Sequence, residues 1–116
     1  MKRTILILLL VLGAARVWAQ QNDTFSISRN LFVPGTDQVN IQITTANYPN
    51  NINLRVYNSA GELVRILEDL SVPNAYSNTY VWDGLNVNNT KVASGVYLIV
   101  LKTDQYTKMG RILAVQ

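Results

Sequence analysis

The stretch VWDGLNVNNTKVASGVYLIVL, Val81 to Leu101, sets Asp83, Asn86, Asn88 and Asn89 in one polar loop between two apolar runs. Oxygen-bearing side chains so close together are the raw material of a hard-cation site. Calcium takes about six to eight oxygens, several of them usually from carboxylates. Here the loop supplies one carboxylate, and the asparagines follow Asp83 at offsets of three, five and six, whereas an alternating ligand ladder needs every second residue. Asp83, Asn86 and Asn88 are therefore weak metal candidates. Turn chemistry accounts for the same residues more simply: Asp83 accepts loop amides and Gly84 permits the turn. Trp82 is expected to bury its ring in the core.

Other chemistries fare worse. The sequence contains no His and no Cys, which removes the usual proton shuttle, thiol nucleophiles and most zinc sites. Glu68 and Asp69 adjoin, and neighbours on a strand point to opposite faces, so they are not a catalytic carboxylate pair. Lys91 and Ser94 have no evident activating partner, and no glycine-rich loop is present to cradle phosphate. No catalytic residue and no cofactor is expected, and the protein does not read as an enzyme. One binding alternative uses aromatics: Tyr48, Tyr57, Tyr76 and Tyr80, if exposed together, form a platform for a carbohydrate.

The elements that position these residues begin after a leader. MKRTILILLLVLGAARVWAQ carries a basic Lys2-Arg3, an apolar run from Ile5 to Ala15, and Val17-Trp18-Ala19. That order describes a secretory signal peptide, with cleavage expected after Ala19. Residues 1–19 are read as the signal and 20–116 as one domain. The apolar run falls short of the roughly 20 residues of a membrane span, so no stable span is expected after cleavage. Of 10 basic residues, Lys2, Arg3 and Arg16 belong to the leader, leaving 7 basic against 7 acidic in the exported chain. The net charge of +3 thus reflects targeting, and nucleic acid is not an expected partner. Export to the periplasm, cell surface or extracellular space is the expected destination.

Along the remaining chain the period is two. QVNIQITT sets Val39, Ile41 and Ile43 against Asn40, Gln42 and Thr44, and INLRVYN sets Ile52, Leu54 and Val56 against Asn53, Arg55 and Tyr57. Both predict half-buried strands joined through ANYPNN. Ser59-Ala60-Gly61 predicts a hairpin turn into GELVRIL, although Leu63, Ile66, Leu67 and Leu70 also sit at helical spacing. SNTYVW predicts a strand with Tyr80 and Trp82 on one face. GVYLIVLKT is apolar at every position from Val96 to Leu101, predicting a central strand covered on both faces. GRILAVQ predicts the last strand, and TFSISRNLF a first, edge strand broken by Pro34 and Gly35. The expected fold is all-β: a two-layer antiparallel β-sandwich, immunoglobulin-like or fibronectin III-like, of about seven strands. Without disulfides, packing alone must hold it. The exposed edges near Phe25 to Phe32 and Ile112 to Val115 are candidates for contact with a protein partner.

The succession LRVYNSAGELVRIL, YVWDGLNVNNTKVASGVYLIVL and GRILAVQ resembles the Ig-like domain of the flagellar hook-assembly (FlgD) family, a pattern shared with C-terminal sorting domains of type IX secretion. The resemblance runs from about Asn30 to Gln116. It is carried by Val56-Tyr57 with Gly61, by Trp82-Asp83-Gly84, and by Ala93-Ser94-Gly95-Val96-Tyr97. It implies a structural role for Trp82, Asp83, Gly84, Gly95 and Tyr97. Asn89 stands near a position where the family usually has glycine, and asparagine tolerates the left-handed backbone conformation better than other residues. The implied function is a non-enzymatic module for protein contact or assembly at the bacterial cell envelope, or a sorting-type domain of type IX secretion.

Overall fold

The computed structural model describes residues 23–46 and 50–116. The expected signal peptide, Tyr48 and most of the turn after Ala46 lie outside the described residues. Eight strands succeed one another: β1 (Thr24–Ile27), β2 (Leu31–Phe32), β3 (Val39–Thr45), β4 (Asn50–Asn58), β5 (Leu63–Val72), β6 (Tyr76–Trp82), β7 (Gly95–Lys102) and β8 (Thr107–Ala114). They form a three-stranded sheet in the order β1-β3-β6 and a five-stranded sheet in the order β2-β8-β7-β4-β5. The two sheets stack as an Ig-like sandwich, as the alternation predicts.

The core lies where the period-two pattern puts it. Val39, Ile41 and Ile43 from the small sheet meet Ile52, Leu54, Val56, Ile99, Leu101 and Ile112 from the large one, all essentially inaccessible. Each such side chain contributes roughly 1.5–3 kcal/mol relative to exposure. That burial stands in for the missing disulfides.

Three details differ from the sequence expectation, and one ambiguity is resolved. The count is eight strands, because TFSISRNLF forms two. Ser28 to Asn30 carry the chain from one sheet to the other, so β1 pairs antiparallel with β3 while β2 pairs parallel with β8. Leu63 to Leu70 take the strand reading and not the helical one: β5 pairs with β4, with register shifts at Leu54/Arg55 and Val56/Tyr57. The hairpin turn explains the choice, since Asn58 Oδ1 accepts the amides of Ala60 and Glu62 at 3.0 and 2.9 Å and fixes the reversal locally. The last strand starts at Thr107, three residues before the predicted Gly110. Finally, β7 is central, but only Tyr97, Ile99 and Leu101 face the core. Val96, Leu98 and Val100 are half-buried on the outer face, with neighbouring strands beside them and no second layer above among the described residues.

Candidate functional site

The loop after β6 is built from the Trp82 ring outward. That ring is 1% exposed and lies between Phe32 at 5.1 Å and Tyr97 at 5.6 Å, both tilted. Its indole N–H donates to the Leu85 carbonyl at 3.0 Å. Asp83 Oδ1 accepts the Leu85 amide at 3.0 Å, and the Asp83 carbonyl accepts the Gly35 amide at 2.9 Å. Gly84, at φ 84°, lies against Pro34 and Phe32 so closely that a Cβ would stand 2.6 Å from the proline Cβ. Asn86 Oδ1 accepts the amides of Asn88 and Thr90 at 2.9 and 3.0 Å. Asn89 holds φ 62°, and Arg65 donates to its Oδ1 and to the Asn86 carbonyl at 3.1 and 2.8 Å. Tyr97 donates its hydroxyl to the Ala93 carbonyl at 2.7 Å, tying the end of the loop to the strand that Gly95 opens.

The side-chain oxygens of Asp83 and Asn86 are thus spent on amides of their own loop, while Asn88 uses its backbone N–H and is exposed. Among the described residues no three His, Cys, Asp or Glu side chains gather as a metal would require.

The carboxylates Glu68 and Asp69 turn to opposite sides of β5. Asp69 approaches Arg55 at 3.9 Å. Glu68 accepts the Tyr80 hydroxyl at 2.9 Å, Tyr80 lies 2.6 Å from the Tyr76 hydroxyl, and Asn78 donates to Tyr76 at 3.0 Å. Burial first, then the hydrogen bonds to Tyr76 and Glu68, push the Tyr80 hydroxyl well above the ordinary tyrosine range. The Tyr97 hydroxyl is also raised, by burial. Both stay protonated at neutral pH and serve as hydrogen-bond donors. Tyr76 and Tyr80 pack against the core, whereas Tyr57 sits on the other sheet and pairs across to Leu63 and Leu98. The described tyrosines therefore do not share one exposed face, contrary to the platform considered from sequence.

The open surface lies on the side where β1 and β8 meet. The Leu113 and Val115 amides donate to the carbonyls of Asn30 and Phe32 at 2.8 and 2.9 Å. Residues of one parity on a strand direct their backbone groups to one side. The N–H and C=O of Thr107, Met109 and Arg111 therefore also point away from β7, past the end of the two-residue β2. The expected edge at Ile112 to Val115 is largely the part that β2 covers; among the described residues nothing pairs with the outer side of Thr107 to Arg111. Beside it runs an open groove of about 560 Å³ lined by Phe25, Ile27, Arg29, Met109 and Arg111, among others. Met109 is 60% exposed. TKMGRILA shows no period-two alternation, so the sequence carries no hydrophobic signal for this edge, and a strand begun at Gly110 leaves out Thr107 to Met109.

The sequence matches the FlgD Ig-like domain model over residues 28–106. No curated protein matches it. Among solved structures it is similar to the alkylpurine DNA glycosylase AlkC of Pseudomonas fluorescens, bound to DNA containing an abasic site analog. The TM-score is 0.55 at 10% identity, covering 80% of this chain and 29% of that one. It also resembles the periplasmic chaperone SfaE, with TM-score 0.48, 13% identity, and 78% and 56% coverage. A third is PorZ, a surface component of the type IX secretion system of Porphyromonas gingivalis, with TM-score 0.49, 16% identity, and 90% and 13% coverage. The chain spans less than two thirds of each of these, and the likeness to the glycosylase, at 10% identity, speaks to fold alone. With the family match covering most of the chain and the Trp82-Asp83-Gly84 loop built as described, the chain belongs to the FlgD Ig-like domain family.

Proposed function

We propose that this protein is exported, loses residues 1–19 as a signal peptide, and acts through residues 20–116 as a non-enzymatic β-sandwich module. Its work is protein–protein contact at the bacterial cell envelope or surface. The observation that carries the reading is the edge of β8 that no described residue covers, where Thr107, Met109 and Arg111 offer backbone donors and acceptors beside an open groove of mixed polar and apolar lining. Such an edge is a template for strand addition. Family membership and the basic–apolar–small leader support the location. The inward packing of Tyr76 and Tyr80 takes away the support for carbohydrate binding. A photo-crosslinking amino acid at Met109, expressed in the native host, is expected to trap an envelope protein. The same group at Ser59, on the β4–β5 turn, is expected to trap nothing. Equal or absent crosslinking at both positions would overturn the edge reading. Mass spectrometry of the exported protein is expected to find Gln20 at its N-terminus. Fusing residues 20–116 behind a periplasmic reporter tests the sorting alternative: only surface display of the reporter favours it.

A further inference from the structure

We propose that the free edge of β8 accepts an extended acidic–apolar segment of a partner protein, with a carboxylate beside Arg111. This rests on the edge reading above and adds the chemistry of the occupant.

The backbone fixes the length. In antiparallel addition each outward-facing residue exchanges both its hydrogen bonds with one guest residue, and successive guest partners are two apart. Thr107, Met109 and Arg111 therefore call for a guest of about five residues. Beyond Arg111 the Leu113 amide is already taken by Asn30, so the guest ends there.

The side chains fix the composition. Guest residues opposite Lys108 and Gly110 turn inward, toward Phe25 and Ile27. Gly110 has no side chain, and Ile27 occupies the space a Cβ there would fill. The inner side of the edge at Gly110 thus presents Ile27 and Phe25 and suits a β-branched guest residue there. Guest residues opposite Thr107, Met109 and Arg111 turn outward beside those side chains. Arg111 is exposed and forms no ion pair among the described residues. Asp37 is engaged with Arg29 at 3.3 Å and with the Val33 amide, and Asp104 with Asn51. Lys108, 4.9 Å from the Tyr106 ring centroid, lies on the other face of the strand. A guest acid opposite Arg111 therefore makes a favourable cross-strand pair where a guest lysine is repelled. A second copy of β8 brings cations and no carboxylate to the same place, so a partner strand is the better fit.

The probe is the peptide Asp-Val-Ile-Val-Thr, which in antiparallel register sets its aspartate at Arg111 and its isoleucine at Met109. Titration of the isotope-labelled protein by amide NMR is expected to shift Thr107 to Arg111 selectively. Binding should be about fivefold tighter than for the twin beginning with lysine, a preference that Arg111→Glu reverses. N-methylation of the central isoleucine should weaken binding about tenfold without touching the protein. Equal affinity for the two twins sinks the acidic occupant while leaving the edge intact. Indifference to N-methylation sinks the edge reading itself. Absence of binding overturns the proposal, and if the protein then self-associates unless Met109 is replaced by proline, the occupant is a second copy.

Discussion

Gly61 and Gly84 share a backbone angle, φ 84°, but differ in surroundings, so replacing each by alanine separates two costs. At Gly61 nothing lies within 4 Å of an added Cβ. The left-handed backbone penalizes an L-residue by about 1–2 kcal/mol. The less flexible unfolded chain returns about 0.4–1 kcal/mol. Gly61→Ala should therefore destabilise by about 0.5–1.5 kcal/mol. At Gly84 the same Cβ would stand 2.6 Å from Pro34 Cβ, 2.7 Å from Pro34 Cα and 2.9 Å from the Phe32 ring. One of these is backbone and another belongs to the ring stacked on Trp82, so relief requires moving the loop. Overpacking of this kind adds about 1–3 kcal/mol, giving about 2–4 kcal/mol for Gly84→Ala. For a domain of this size that corresponds to a fall in Tm of roughly 10–30 °C, against roughly 2–10 °C for Gly61→Ala. Urea unfolding followed by the fluorescence of Trp82 measures both. Indistinguishable losses for the two variants would refute the close packing of Gly84 against Pro34, and with it the structural role given to the Trp82-Asp83-Gly84 turn.

Further outcomes follow from the same geometry. Tyr80→Phe removes the bonds to Glu68 and Tyr76 and should cost about 1–2 kcal/mol in chemical denaturation, since each net hydrogen bond contributes about 0.5–1.5 kcal/mol. Because Tyr80 and Tyr97 are raised in the folded state from 10.0, their contribution is complete below the unfolded value and declines as pH climbs above it. Ultraviolet titration should find two tyrosines ionising late, and one after Tyr80→Phe. Asn89→Gly trades the Arg65 contact for a relaxed backbone and should stay within about 1 kcal/mol of the parent, while Asn89→Val should lose at least about 1 kcal/mol. Millimolar calcium should leave Tm unchanged, because the Asp83 and Asn86 oxygens already serve loop amides; a rise in Tm that Asp83→Ala abolishes would restore the metal reading.

Much of the fold was legible because burial imposes a period. Val39, Ile41 and Ile43 alternate with polar residues since one face of β3 meets the core, and the same logic exposed β4. The Trp82 loop was legible because side chains that turn a chain do so through local hydrogen bonds, as Asn86 does with Asn88 and Thr90. The strand switch after Ile27 left no such trace. Which sheet a strand joins is decided by partners distant in sequence, and Leu31 and Phe32 pair with Leu113 and Ala114. Without that pairing the free stretch of β8 cannot be told from the covered one. The same limit misplaced the last strand: Thr107 and Lys108 are exposed, so hydrophobicity does not report them as strand, although Leu101 and Lys102 hold them there. The run from Val96 to Val100 misled in the opposite direction, because flanking strands shelter an outer face about as well as a second layer does.

The bonds from Leu113 to Asn30 and from Val115 to Phe32 set an order of events for a chain synthesised from its N-terminus. The large sheet cannot acquire β2 until β8 has emerged, and β7 and β4, its centre, also wait on late residues. The sandwich therefore locks only once its final strand is available, and topology of this kind folds slowly.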